Sequence, residues 1–263
     1  MRPRFVRIDT RTSMITVRNF MHFKKILCAL IQRRVTGMAR VATGIIFAVA
    51  AVHSPQPLAV EEDVQAWFAT FATKALDDRW IAYMEVQGRF GDDIGRLSQT
   101  LLRPAVGYRL SSNMSIWAGY GYIETERVNA DDIQEHRIWQ QALWNAGEVF
   151  GAAVTSRTRL EQRLIESADD TGWRLRQFVK FSRPFENNVD LNAVTYVEGF
   201  FALNDTDWGA EAGFDQLRLF AGIGREIARG VRFEGGYLNQ YIRSPRGSDR
   251  ANHILSINFF LDF

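Results

Sequence analysis

The chain has 263 residues and a net charge of +2, with 46% hydrophobic and 13% aromatic residues. The charge is uneven: residues 1–59 hold ten Lys/Arg against Asp9 alone, a net +9, so residues 60–263 carry −7. The basic balance thus belongs to the N-terminal segment and gives no argument for nucleic-acid binding. The only cysteine, Cys28, also lies there, which leaves the rest without a disulfide frame or a thiolate catalyst.

In chain order, residues 1–37 read as an extended or non-native leader ahead of a start at Met38. Residues 38–59, "MARVATGIIFAVAAVHSPQPLA", have the layout of a secretory signal peptide. Arg40 precedes a mostly apolar run from Val41 to Val52, and small and turn-forming residues follow down to Ala59. That run is shorter than the roughly 20 residues of a transmembrane helix. The alternative is an N-terminal membrane anchor. No cysteine follows the run, which argues against a lipoprotein signal. Processing is expected near residue 59.

Residues 60–263 show period-two alternation broken by clusters of Gly, Asn, Asp, Ser and Pro. The pattern predicts strands over 63–75, 79–90, 97–110, 114–126, 134–146, 151–166, 172–183, 190–203, 214–227, 231–243 and 252–263. Most are longer than the five or six residues usual in globular proteins, and long enough for a tilted strand across a bilayer, which needs about 9–11. The connections alternate as well. "RLSSNM", "WNAGEV", "RPFENN" and "IARGV" are tight, whereas "ERVNADDIQ", "ESADDTG", "NDTDWGAEAG" and "RSPRGSDRA" are long and charged. Short turns on one side and long polar loops on the other is the pattern of outer-membrane barrels. The expected fold is all-β: a transmembrane antiparallel up-and-down β-barrel. Eleven segments are counted, but bacterial barrels favour even numbers, so 10–12 strands are expected, with twelve preferred.

The strand faces separate charge from apolar surface. Tyr83, Glu85, Gln87 and Arg89 oppose Ala82, Met84 and Val86; Arg157, Arg159, Glu161 and Arg163 share one face. Arg174, Arg176 and Lys180 share another; Gln216 and Arg218 oppose Leu217, Leu219, Ala221 and Ile223; Arg232, Glu234 and Gln240 oppose Val231, Phe233 and Tyr237. In a transmembrane barrel such charges face the lumen and the apolar face meets lipid; in a soluble barrel the sides exchange. Trp67, Trp80, Tyr108, Trp173, Tyr241 and Phe263 lie near segment ends, as aromatic girdles at two membrane interfaces require. A soluble lectin-like or lipocalin-like barrel is the structural alternative.

The last strand, "HILSINFFLDF", alternates strictly from Leu255 through Ile257, Phe259 and Leu261 to Phe263. A chain end frays unless it is tied down. A terminal strand with one apolar face and a final aromatic resembles the recognition strand of outer-membrane barrels, read by the barrel-assembly machinery. Phe263, Leu261, Phe259 and Ile257 are the candidate assembly signal, and barrel-assembly machinery, periplasmic chaperones and outer-membrane lipid are the expected partners.

With these residues in view, the segment from Trp67 to Phe263 resembles a bacterial family catalogued as domain of unknown function 2490. The motifs that carry the resemblance are "LRPAVGYRL", "WAGYGY", "HRIWQQ", "SRTRLEQR", "FDQLRLFAGIG", "GGYLNQY" and "NHILSINF". The resemblance implies an outer-membrane β-barrel of a Gram-negative bacterium without an established activity. His136 stands where the pattern leads one to expect Asn.

Residues 60–263 use 20 Arg and only two Lys. Arginine offers a planar fork for carboxylates and stays charged when partly buried. Glu85, Arg103, Arg137, Arg157, Arg159, Glu161, Arg163, Arg174, Arg176, Glu198, Arg218, Arg232 and Glu234 are the candidate lumen network, with Glu135 a further acidic candidate. Two readings stay open: a lumen filled by Arg–Glu pairs in a non-enzymatic structural barrel, or an anion-leaning channel or small-solute or lipid-binding pocket. A barrel lipid-modifying enzyme would need a nucleophile, a base and an orienting group. The nearest set, His253, Ser256 and Asn252, falls on opposite strand faces. The acid pairs Asp92/Asp93, Asp131/Asp132 and Asp169/Asp170 read as loop tips. No zinc spacing or haem motif is present, and no metal or cofactor is expected.

Overall fold

The computed structural model describes residues 60–263 except Arg246. The expected signal peptide and leader lie outside the described residues. Alternation of branched and aromatic residues with polar ones yields β1(Glu61–Ala75), β2(Trp80–Gly91), β3(Arg96–Arg109), β4(Met114–Thr125), β5(Ile133–Val149), β6(Ala152–Ile165), β7(Gly172–Phe185), β8(Asn188–Ala202), β9(Gly213–Ala228), β10(Val231–Ile242) and β11(Arg250–Asp262). No helix occurs among the described residues.

These eleven strands close into one barrel in sequence order. Ten neighbouring pairs are antiparallel, whereas β1 and β11 pair in parallel from Glu61↔Arg250 to Thr73↔Asp262. The preference for twelve strands and for an antiparallel barrel throughout is therefore corrected. With an odd number of up-and-down strands the first and last run the same way, so only a parallel seam can close the ring. That seam leaves no exposed edge.

Every strand end lies within three residues of its sequence expectation, and the largest departure has a local cause. β5 does not turn in "WNAGEV". A bulge at Asn145/Gly147, with Gly147 at φ +86°, carries it on to Val149. The chain then reverses at Phe150–Gly151, both at positive φ, as a two-residue hairpin turn requires.

Large apolar side chains stand on the outside: Val86, Leu102, Val106, Ile138, Leu219 and Leu255 are each at least two-fifths exposed. Two apolar clusters lie inside. Trp67, Val194, Phe220, Leu238 and Ile254 form one; Ile81, Ala105, Trp117 and Trp139 form the other. The second depends on a close approach. Trp139 lies flat on the wall over Gly119, where a Cβ would collide with the indole.

Trp67 needs correction as a girdle residue: it points into the barrel and is 3% exposed. Trp80, Trp173 and Phe263 stand outside and exposed.

Candidate functional site

The lumen is a consequence of strand register. On the inner face Glu161 of β6 stands opposite Arg174 of β7, Glu198 of β8 opposite Arg218 of β9, and Glu85 of β2 opposite Arg103 of β3. Opposite charges facing across strands stabilise the pairing. Two rows set like charges together, Arg137 against Arg163 and Arg159 against Arg176. Carboxylates one step along the same face relieve both.

Glu135 accepts two forked pairs, from Arg137 (Nε 2.6 Å, Nη2 2.7 Å) and Arg163 (Nε 2.6 Å, Nη2 3.1 Å). Glu161 is fully buried; it accepts from Arg174 Nη2 and Arg176 Nη1, each at 2.6 Å, and lies 3.7 Å from Arg159. Arg176 turns its other edge to Glu198 at 2.7 Å, and Glu198 also accepts from Arg157 at 2.6 Å. Arg218 is farther away, 3.8 Å from Glu198. Glu85 holds Arg103 and the Tyr83 hydroxyl, and Glu234 holds Lys180 and Arg232. Bidentate, charge-assisted bonds of this kind offset the desolvation of buried ions when the geometry is good.

All thirteen lumen candidates thus lie on the inner face. Sequence reasoning left out the layer beneath them. Guanidinium groups stack on inner aromatics: Arg159 on Trp139 at 4.1 Å, Arg176 on Phe200 at 4.5 Å, and Arg89 on Trp67 at 3.8 Å. The signal was present, since Trp139 follows Arg137 by two residues and Arg89 follows Glu85 by four. The charged side chains divide the interior. A cavity of about 460 Å³ opens toward the short-turn end, walled in part by Phe71, Leu143, Phe178 and Phe260. A second, of about 640 Å³, lies toward the long loops. Trp67, Arg89, Arg103, Arg176 and Arg218 line both.

The remaining candidates are dispersed. His253 faces outward and bonds the Tyr237 hydroxyl at 2.6 Å, while Asn252 and Ser256 are buried inside. His136 is also on the outer face, bonded to Tyr120 and to Glu166. The Asp169/Asp170 pair is not a free loop tip. Asp207 accepts from the Asp169 and Asp170 amides, and Asp170 accepts from the Asp207 amide at 2.8 Å. This locks the β6–β7 and β8–β9 loops together. No cluster of three or more His, Cys, Asp or Glu suited to a metal occurs among the described residues. Of the assembly candidates, Phe259 and Phe263 are exposed, and Ile257 and Leu261 are half-buried, each pointing away from inner Ser256 and Phe260.

A sequence profile for a family described as "Protein of unknown function (DUF2490)" matches residues 64–252. The chain belongs to the DUF2490 family. This DUF2490 barrel is similar to an uncharacterized protein of Methylorubrum extorquens, 39% identical over 204 residues that cover 77% of this chain and 89% of that protein. No solved structure matches.

Proposed function

We propose that this DUF2490 chain is an exported outer-membrane β-barrel without catalytic activity, closed at mid-height by its own arginine–glutamate layer. The observation that carries the reading is the inversion of the faces: large apolar residues stand outside around the barrel and ion pairs fill the inside. A water-soluble barrel has little reason to expose Leu219, Leu255 and Val106 while burying Glu161. The terminal strand supports export, because its apolar face and final Phe263 suit recognition by the barrel-assembly machinery, with periplasmic chaperones as carriers. The inner wall supports a structural role. A ring of eleven strands leaves a narrow interior, and long Arg side chains close it at mid-height.

The test combines fractionation with conductance. The protein should partition with the outer membrane, start near residue 60 after processing, and resist alkaline extraction. Refolded into a planar bilayer, it should pass far less current than a general porin. A soluble periplasmic protein would overturn the membrane reading, and porin-like conductance would overturn the closed lumen.

A further inference from the structure

Positive charge gathers where the two cavities meet. Four arginines, Arg89, Arg103, Arg176 and Arg218, line both cavities, and among the described residues no carboxylate lines both. Charge left uncompensated in a confined, poorly hydrated space is costly.

Two of the four lie beside Trp67. Arg89 lies 3.8 Å and Arg218 4.9 Å from its ring centre, so the two cations are at most about 9 Å apart. Among the described residues no carboxylate pairs with Arg89, and Arg218 meets Glu198 only at 3.8 Å, a carboxylate that already accepts from Arg157 and Arg176. Arg89 is held by amide oxygens, Gln87 at 2.8 Å and Gln99 at 2.7 Å. Arg218 is held the same way: with the Gln216 amide turned to satisfy both its neighbours, its oxygen accepts from Arg218 Nε at 2.7 Å. Amide oxygens fill hydrogen-bonding positions but bring no charge. Arg103, 6% exposed, adds a buried Nε without a hydrogen-bond partner.

We propose that this junction of the two cavities is a binding site for a small dianionic solute bearing carboxylate or phosphate groups, seated beside Trp67 between Arg89 and Arg218. Planar guanidinium forks match both oxyanion geometries, and rings of Arg select anions in confined paths. Trp67 fixes the planes of both forks in advance, which lowers the ordering cost of binding. The cavity of about 640 Å³ on the long-loop side supplies access and room. The site rests on the lumen geometry alone, so a soluble barrel would bind equally, and failure of the membrane reading would leave it standing.

The experiment is isothermal titration of the detergent-purified full chain with inorganic phosphate and with succinate, at constant ionic strength in chloride. Saturable one-to-one binding of either probe is expected, and the two arms identify which oxyanion fits. Arg89→Gln and Arg218→Gln should each weaken binding at least tenfold, Arg89→Lys should weaken it less, and Arg183→Gln, on the exposed outer face, should leave it within twofold. Because Arg89→Lys keeps the charge, it tests the fork even where the glutamine variants fold poorly. Absence of saturable binding of both probes to the wild-type chain overturns the proposal. Equal affinity of wild-type and Arg89→Lys, Arg89→Gln and Arg218→Gln does so too.

Discussion

Adjacent residues on one strand face opposite sides of the barrel wall, and single substitutions read that difference. Leu219 is 47% exposed on the outer face, while Arg218 stacks inside on Trp67 and Phe200. On the membrane reading, Leu219→Arg should destabilise the barrel by about 2–4 kcal/mol if the site lies near the bilayer midplane, and much less near an interface. Reversible urea unfolding in lipid vesicles measures it, and a cost near zero with normal membrane insertion would put Leu219 at the membrane's edge. Glu161 gives the complementary case. It serves Arg174 and Arg176 and neighbours Arg159, with no exposure to solvent. Glu161→Leu leaves three guanidinium groups without that carboxylate, and the expected loss is about 3–5 kcal/mol in the same assay. These two faces were legible in the sequence because a strand alternates with period two and Arg, Glu and Gln recur on one parity of each strand. The aromatics were not. Trp67 near a segment end fits an interfacial girdle as well as an inward stack, and period two alone does not reveal the cation that lies over it.

At the scale of elements, the long loops on one side are part of the lumen's architecture. The β8–β9 loop brings Trp208 against Gly172 at the start of β7, where its Nε1 donates to the Asp170 carbonyl at 2.9 Å and its ring lies 4.7 Å from Arg163. A Cβ on residue 172 would collide with that indole. Gly172→Ala should undock the loop, raise amide exchange at Asp169, Asp170 and Asp207, and leave the barrel's unfolding midpoint nearly unchanged. Exchange identical to wild type would mean that the indole yields without leaving its place. The strand segments were readable to within three residues because Gly, Pro, Asn and Asp punctuate them. The docked loops were not, since Asp169, Asp170 and Asp207 look in sequence like solvated tips. Their role comes from backbone amides that a distant loop presents to them, and that pairing has no local signature. The bulge at Asn145/Gly147 was hidden for a related reason: "NAG" is a turn signal in isolation, and only the pairing of β5 with β6 keeps it within a strand.

At the scale of the molecule, the parity of the strand count decides where the two ends of the barrel lie. The sequence shows eleven segments, an odd number against the general habit of bacterial barrels, and the parallel seam of β1 with β11 makes it workable. The consequence is geometric. β11 runs from the long β10–β11 loop to the short-turn end, and β1, parallel to it, starts beside Arg250 at the long-loop end. In an even barrel both ends would share the short-turn side. If short turns face the periplasm, as in outer-membrane barrels generally, the start of β1 faces the cell exterior and Phe263 faces inward. Val60 is 48% exposed and precedes β1, and Val128, in the long β4–β5 loop, is 62% exposed. Cys28 lies in the segment expected to be removed, so a single introduced cysteine would be the only thiol of the processed chain. On intact cells a membrane-impermeant maleimide should label Val60→Cys and Val128→Cys but not Glu186→Cys, which sits in the short turn after β7. Permeabilised cells should label all three. Labelling of Val128→Cys with Val60→Cys protected until permeabilisation would place the start of β1 on the periplasmic side, and the parallel seam would then be wrong.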